Sequence, residues 1–463
     1  MTWVRCTASW GVTCRPLRLA ALVLAATRAD AAVVVIARPG PAGPAAAIAG
    51  EQIAHWTTRE PVVVVDDDPP SPSPDVSLVV ELTEDFDFRA EMPMSNGATI
   101  RVSSPRDLAS PTRRLADAAA AAINASITVP SERFVVEEAP PDEGTAPPRI
   151  TIVTSTKTEL DRQRLAKRTR QHRVGVHALL ASAGVIDPAV VTPESIAPAA
   201  RPGVARVAIY DDLGARNRTA ACNPAWIRES MRHLGDLDVS LVSAADIRAG
   251  ALPGQFDVLV VGGGSSKTEG RTIGDDGKQA ITRFVSGGGG YVGICAGAFL
   301  ASRTSYGLGI SPTQVRSTRA GGLARVDLAE PFRKAAGLPP GVARIAFHGG
   351  PILALADDAT TRDALVWGTF RTDVEIEPNP AAAATTKEQD LPTTIPLAGT
   401  PAVVSATYGS GRVVVFSPHP ERAPGPQTLF WTAVRFAAGR TQTELLHTVG
   451  DEGVSRIEPV PVP

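Results

Sequence analysis

The sequence predicts an α/β protein: an open, mainly parallel sheet with helices on both faces, preceded by a smaller α/β domain. Three observations lead there. The chain has 463 residues, more than one ordinary core accommodates. From Val204 onward short apolar runs alternate with helical segments. Those runs are apolar almost throughout, as strands buried on both faces must be.

The chain divides into five stretches. In residues 1–31, Arg5, Arg15 and Arg18 precede the apolar run Leu19 to Ala26, and Ala29-Asp30-Ala31 has the small-x-small pattern of a cleavage site. This reads as a signal peptide and sets the expectation of a secreted protein, or one within a secretory compartment. Residues 32–150 read as the small α/β accessory domain, with strands at Ala32 to Ile36, Val62 to Val65, Val76 to Glu81 and Ile127 to Val129. Its helices are Ala46 to Thr57 and the Ala-rich Pro111 to Ile123, opened by Ser110-Pro111. The acidic Pro/Ser stretch Asp66 to Pro74 is a solvated loop. Residues 151–202 form a helical and Pro-containing connection, residues 203–439 the main domain, and residues 440–463 a peripheral tail.

In the main domain, strands are expected at Val204 to Tyr210, Val239 to Val242, Phe256 to Val261 and Tyr291 to Ile294. Later ones follow at Leu323 to Val326, Val342 to Phe347, Val403 to Thr407 and Val413 to Phe416. Helices are expected at Pro224 to Leu234, with Asn223 as cap and Pro224 in the first turn, at Gly277 to Val285 and at Thr428 to Phe436.

Composition narrows the function. A net charge of -2 gives no global attraction to nucleic acid or anionic membranes. The basic segment Leu160 to His172 has no interleaved aromatics and reads as a solvated or salt-bridged face. No segment after the signal is long and apolar enough to span a bilayer. If the signal is removed, Cys6 and Cys14 leave with it, and Cys222 and Cys295 make neither a disulfide scaffold nor a zinc site. No metal or cofactor is implied. Gly262 to Thr268 lacks the glycine that precedes the Lys-Thr pair of a phosphate-binding loop.

Chemistry concentrates at two motifs. Cys295 lies in Gly293-Ile294-Cys295-Ala296-Gly297, a strand-to-helix turn whose small neighbours suit a nucleophile held in a strained conformation. The start of the next helix directs N–H groups toward the sulfur, which favours thiolate. Ser417-Pro418-His419-Pro420-Glu421 follows another strand. His419 there can act as a base, and Glu421 two residues on can orient it. Paired acids at the end of a third strand, Asp211 and Asp212, can line the same cleft.

These pieces resemble a known group. Val207 to Asp212, Val261 to Gly264, Gly288 to Ala298, His348-Gly349-Gly350-Pro351, and Gly411-Arg412 with Phe416 to Glu421 occur in an order similar to that of the class I glutamine amidotransferase-like superfamily. Within it, they resemble the biotin-protein ligase N-terminal-type domain. The resemblance spans residues 204–438 and implies a flavodoxin-like sheet. It also implies Cys295 as nucleophile, His419 as base, Glu421 as orienting carboxylate, and an oxyanion hole from Ala296 with Gly263 and Gly264. Residues expected at the substrate cleft are Asp211, Asp212, Ala298, Phe299, His348 and Gly349.

The chain departs from glutamine-hydrolysing members at Ala298 and Phe299, where they carry polar residues, often a glutamine. The expected activity is thus a cysteine-dependent hydrolase or transferase acting on an amide, peptide or ester carbonyl through a thioester. The expected partner is a small-molecule or peptide substrate. The alternative is a non-catalytic module that keeps the fold and binds a small ligand or a protein.

Overall fold

The computed structural model describes residues 32–37, 44–56, 62–65, 76–86, 98–103, 109–124, 135–138, 149–156, 165–183, 185–215, 223–317, 321–357, 363–375, 394–422 and 425–440. The proposed signal in residues 1–31 lies outside them. So do the loop Asp66 to Pro74, the expected strand Ile127 to Val129, Cys222, and the tail beyond residue 440. Among the described residues no helix is long and apolar enough to cross a membrane. The chain folds as two compact units, one formed by Met1–Lys157 with Gln171–Thr192 and the other by Thr158–Arg170 with Pro193–Pro463.

The first unit contains β1 (Ala32–Ala37), α1 (Ala45–Ile53), β2 (Val62–Val65), β3 (Val76–Phe86), β4 (Ala98–Ser103), α2 (Ala109–Asn124), β5 (Val135–Glu138) and β6 (Arg149–Thr156). They form a six-stranded sheet in the order β2-β1-β3-β6-β4-β5. Its pairings are parallel except for β4 with β6. Val35, Val80, Leu82, Ile150 and Ile152 meet the Ala-rich helices in its core, where small side chains let helix and sheet approach closely. Strand pairing therefore continues past residue 150, because β6 bonds to both β3 and β4. The helix α3 (Leu165–Ser182) divides between the units after Arg170.

The second unit holds a nine-stranded sheet with helices. Its elements are β7 (Ala205–Tyr210), α4 (Pro224–Arg232), β8 (Leu237–Val242), α5 (Ala244–Arg248), β9 (Val258–Val261), α6 (Ser266–Ser286), β10 (Gly290–Ile294), α7 (Ala296–Ala301), β11 (Thr313–Arg316), β12 (Gly321–Leu328), α8 (Glu330–Ala335), β13 (Ala343–His348), β14 (Ile352–Leu355), β15 (Leu365–Phe370), β16 (Val374–Glu375), β17 (Thr394–Ile395), β18 (Pro401–Tyr408), β19 (Gly411–Phe416) and α9 (Gln427–Ala437). The sheet order is β13-β12-β15-β18-β19-β10-β9-β7-β8. β8, β7, β9, β10 and β19 make one parallel block; β18, β15, β12 and β13 extend it by antiparallel pairing.

Both faces of the parallel block are buried, which explains its apolar strands. Ala208, Tyr210, Leu259, Val261, Tyr291, Val413 and Val415 share one core cluster with Ile273, Ile281, Phe284 and Val285 of α6. The alternate residues Val207, Ile209, Val258, Val260, Val292, Ile294, Val414 and Phe416 are no more than 1% exposed. Asn223 caps α4 as expected, its side chain accepting from the Ala225 N–H. α6 is two helical segments joined at the non-helical Gly274 (φ 69°); the second contains the expected helix Gly277 to Val285, and the first, which opens at Ser266, was not expected.

Candidate active site

The site is built where β10 and β19 end side by side. Their parallel register pairs Ile294 with Phe416, and the Cys295 N–H donates to the Phe416 carbonyl at 2.9 Å. This one pairing brings the Cys295 turn next to the Ser417-to-Glu421 turn, 122 residues later in the chain. In open α/β sheets reactive groups gather at such carboxyl ends.

Cys295 has φ 53° and ψ -102° and is the one non-glycine residue with positive φ among the described residues. A side chain in that region costs on the order of 1–3 kcal/mol and persists only where the surroundings impose it. Here the surroundings are the flanking glycines. A Cβ on Gly297 would run into the Val261 carbonyl, and one on Gly293 would lie 2.5 Å from the Gly297 carbonyl oxygen. The Gly297 N–H donates to Gly262 and its carbonyl accepts from the buried Tyr291 hydroxyl at 2.8 Å. Burial holds the Tyr291 phenol well above its ordinary pKa, so it stays a donor.

His419 is fully buried and Glu421 is 1% exposed, with 2.8 Å between Nδ1 and Oε1. The His419 N–H donates to the Ala346 carbonyl at 2.7 Å, which ties the turn to β13. Behind it, Gln427 Nε2 donates to the Glu421 carbonyl. Gly263 locates the convergence: a Cβ there would lie 2.8 Å from His419 Cε1 and 3.7 Å from Cys295 Cβ. The Cys295 side chain, the imidazole and the turn after β9 thus lie close together. The thiol is 6% exposed, and its Sγ donates to the His348 carbonyl at 3.6 Å.

A cavity of about 230 Å³ opens at the sulfur, lined by Cys295, Ala296, Phe299, Gly264 and Gly349. Five polar residues complete its lining: Ser265, Ser266, Lys267, Tyr306 and Ser317. At the elbow, the N–H groups of Gly297, Ala298 and Phe299 go to the carbonyls of Gly262 and Cys295. The Ala296 N–H makes no such bond among the described residues.

The other residues expected at the cleft lie outside this lining. Ala298 is fully buried in the apolar cluster with Leu259, Val261 and Tyr291 and does not line the cavity. His348 contributes its carbonyl to the thiol; its residue is not part of the lining. Asp211 and Asp212 do not line it either, because both are engaged at helix starts. Asp211 Oδ2 accepts from the Ala166 N–H of α3 at 2.9 Å, and Asp212 Oδ2 accepts from the Ala244 N–H of α5 at 3.1 Å. Burial pushes the Asp211 carboxyl up to about 7, against the lowering effect of its backbone N–H partners.

The lining residues absent from the expected cleft are Ser265, Ser266 and Lys267, weighed in the sequence only as a phosphate-loop pattern, and Tyr306 and Ser317. The first three are the N-cap and opening residues of α6. Two residues further on, Glu269 is fully buried, and neither carboxyl oxygen has a hydrogen-bond partner among the described residues. Burial pushes this carboxyl up to about 8. Among the described residues no group of three or more His, Cys, Asp or Glu side chains is placed to hold a metal ion.

With the geometry in place, comparison with known proteins identifies the segment that carries the elbow. Residues 205–325 match the biotin-protein ligase N-terminal family. This bears out the resemblance read from the sequence. The biotin-protein ligase N-terminal match takes in β7 to β10, the elbow and the α6 side of the cavity, and ends before His348 and His419.

Solved structures with similar regions include a cytoplasmic protein from Salmonella typhimurium, at 15% identity and TM-score 0.33, covering 50% of this chain and 99% of that one. PurLQS from Thermotoga maritima matches at 15% identity and TM-score 0.34, with 50% and 99% covered. A β-galactosidase from Bacillus circulans sp. alkalophilus matches at 10% identity and TM-score 0.33, over 59% of this chain and 34% of that enzyme. Comparison with curated proteins finds no match.

Proposed function

We propose that the protein is a cysteine-dependent hydrolase or transferase that acts on an amide, peptide or ester carbonyl through a thioester on Cys295. The observation that carries this reading is the positive φ of Cys295 at the mouth of the cavity, beside the His419–Glu421 pair. A buried structural cysteine has no use for backbone strain, for two flanking glycines that admit no Cβ, or for a carboxylate-oriented imidazole nearby.

The chemistry follows from these parts. Cys295 Sγ attacks the carbonyl carbon while His419 takes the thiol proton. Negative charge develops on the carbonyl oxygen, and the N–H groups of Ala296 and of the Gly263-Gly264 turn receive it. The C–N or C–O bond then breaks, and His419 returns the proton to the leaving amine or alcohol. Water attacks the thioester in the second half, with His419 taking its proton, and the acid leaves as the C–S bond breaks. An amine or alcohol in place of water makes the enzyme a transferase. Glu421 is a positioning residue: it fixes the imidazole so that Nε2 faces the chemistry.

The fold supports the same reading at a finer level. The parallel block runs β8-β7-β9-β10-β19, the 2-1-3-4-5 order of flavodoxin-like sheets, in which ligands collect at the carboxyl ends of the strands.

Alkylation with iodoacetamide tests the assignment. The expected result is that Cys295, followed by peptide mass spectrometry, reacts faster than glutathione at the same pH, and that His419→Ala slows it. If Cys295 reacts no faster than glutathione and His419→Ala makes no difference, the catalytic reading is wrong and the non-catalytic binding module takes its place.

A further inference from the structure

The cavity at Cys295 has a one-sided charge. Lys267 is the one Lys or Arg of the lining, and no Asp or Glu lines it among the described residues. Around the lysine the lining is made of hydroxyls: Ser265, Ser266, Tyr306 and Ser317. Three of these residues, Ser265, Ser266 and Lys267, are consecutive at the start of α6, whose first helical segment ends at the kink at Gly274, so the positive end of that segment borders the same space.

The Ser265 side chain makes no cap bond to that helix; its Oγ is 3.0 Å from Thr268 Oγ1 instead. The lining also includes Cys295, Ala296 and Phe299. The sulfur and the lysine share a space of about 230 Å³, below the roughly 300–1,000 Å³ of pockets for drug-sized ligands.

Resting on the thioester reading above, we propose that the substrate is a small acyl compound bearing a carboxylate, held by Lys267 and the first turn of α6 while its amide or ester carbonyl meets Cys295. The acyl group carries no ammonium, because the described lining offers no carboxylate to compensate one and an uncompensated charge is costly to desolvate. A mono-amide or mono-ester of a short dicarboxylic acid has this chemistry; a zwitterionic amino acid does not.

Three p-nitrophenyl esters of equal chain length test this: the glutarate mono-ester with a free carboxylate, its methyl-capped neutral counterpart, and the γ-ester of glutamate, which adds an ammonium. Attack by Sγ forms the C–S bond, breaks the C–O bond and releases p-nitrophenolate, whose absorbance reports the rate, and the acyl adduct on Cys295 is followed by mass spectrometry.

The expected result is a kcat/KM for the carboxylate ester at least about tenfold above both others, in keeping with the strength of a charge-assisted hydrogen bond. In Lys267→Gln the carboxylate-to-neutral ratio collapses toward one, and Lys267→Arg restores most of it. Added salt lowers the ratio, since Lys267 is exposed.

Equal rates for the carboxylate and neutral esters in the wild-type protein, or an unchanged ratio in Lys267→Gln, overturn the proposal while the acyl adduct leaves the thioester reading intact. A glutamate ester as fast as the glutarate ester overturns the exclusion of ammonium. Absence of an adduct from all three overturns both readings together.

Discussion

Two strands of the same parallel block end in polar residues, and the two ends do different things. β7 ends at Tyr210 and continues into Asp211 and Asp212; β10 ends at Ile294 and continues into Cys295. Both sit where open α/β sheets collect ligands. Each acid has an oxygen that accepts from the N–H of a helix start, while Asp211 Oδ1 has no hydrogen-bond partner among the described residues. The cysteine instead is held in a strained conformation against a cavity. Position at a strand end therefore marks where chemistry is possible. On the function proposed above, the state of the polar atoms there marks where it happens.

The comparison breaks if the two ends respond alike to substitution. Cys295→Ala is expected to abolish acyl-adduct formation at that position altogether. His419→Ala should slow p-nitrophenyl ester turnover by about 10²–10⁴-fold, the range for removing a general base. Glu421→Gln keeps the shape of the pair and should cost less than His419→Ala. Steady-state rates across these variants check the order, and a Glu421→Gln enzyme slower than His419→Ala contradicts the assigned roles.

Stability sharpens the contrast next. Gly297→Ala places a Cβ against the Val261 carbonyl, and the elbow has to shift to admit it. The expected loss is about 1–3 kcal/mol in chemical denaturation, together with loss of rapid Cys295 alkylation. If stability falls while alkylation stays fast, the tight turn is not what activates the cysteine.

Much of this contrast was legible in the sequence, and the part that was not has a physical cause. The parallel block announced itself because strands buried on both faces leave continuous apolar runs, such as Val258 to Val261. The elbow did so because close backbone approach demands Gly293 and Gly297, and the base did so because His419 and Glu421 are two residues apart. The bond of Asp211 was not legible because its partner, Ala166, is 45 residues away in the chain, and no local pattern records such a bond. The opening of α6 was missed because Ser-Ser-Lys-Thr-Glu-Gly is polar, and Gly270 and Gly274 weaken helical periodicity. Lys267 went with it, judged against a phosphate-loop pattern that it does not fit.

Glu269 offers a pH handle on the same helix. Its carboxyl is raised from an ordinary 4.5 to about 8 by burial, so the folded state holds a proton that the unfolded state has released over much of that interval. Stability from this group is fully present below about pH 4.5 and is lost as pH rises through about 8. Asp211, raised from 3.8 to about 7, acts in the same direction at lower pH. Thermal unfolding followed from pH 5 to about pH 8 should show a falling Tm in the wild type and a shallower fall in Glu269→Gln. Equal slopes in the two proteins would place the titration elsewhere.

The smallest effect is the one that most directly separates the two strand ends. Asp212→Ala removes the acceptor of the Ala244 and Leu213 N–H groups, and loss of a capping acceptor costs about 1 kcal/mol. Ser243 and Asp246 still form the capping box of α5, which limits the damage. Because Asp212 lies outside the cavity lining, ester turnover per folded molecule should stay within about twofold of wild type, well short of the ~10²-fold cost of losing a base. A large drop in turnover with little change in unfolding free energy would return Asp212 to the cleft and erase the distinction between a strand end occupied by a cap and one left open for chemistry.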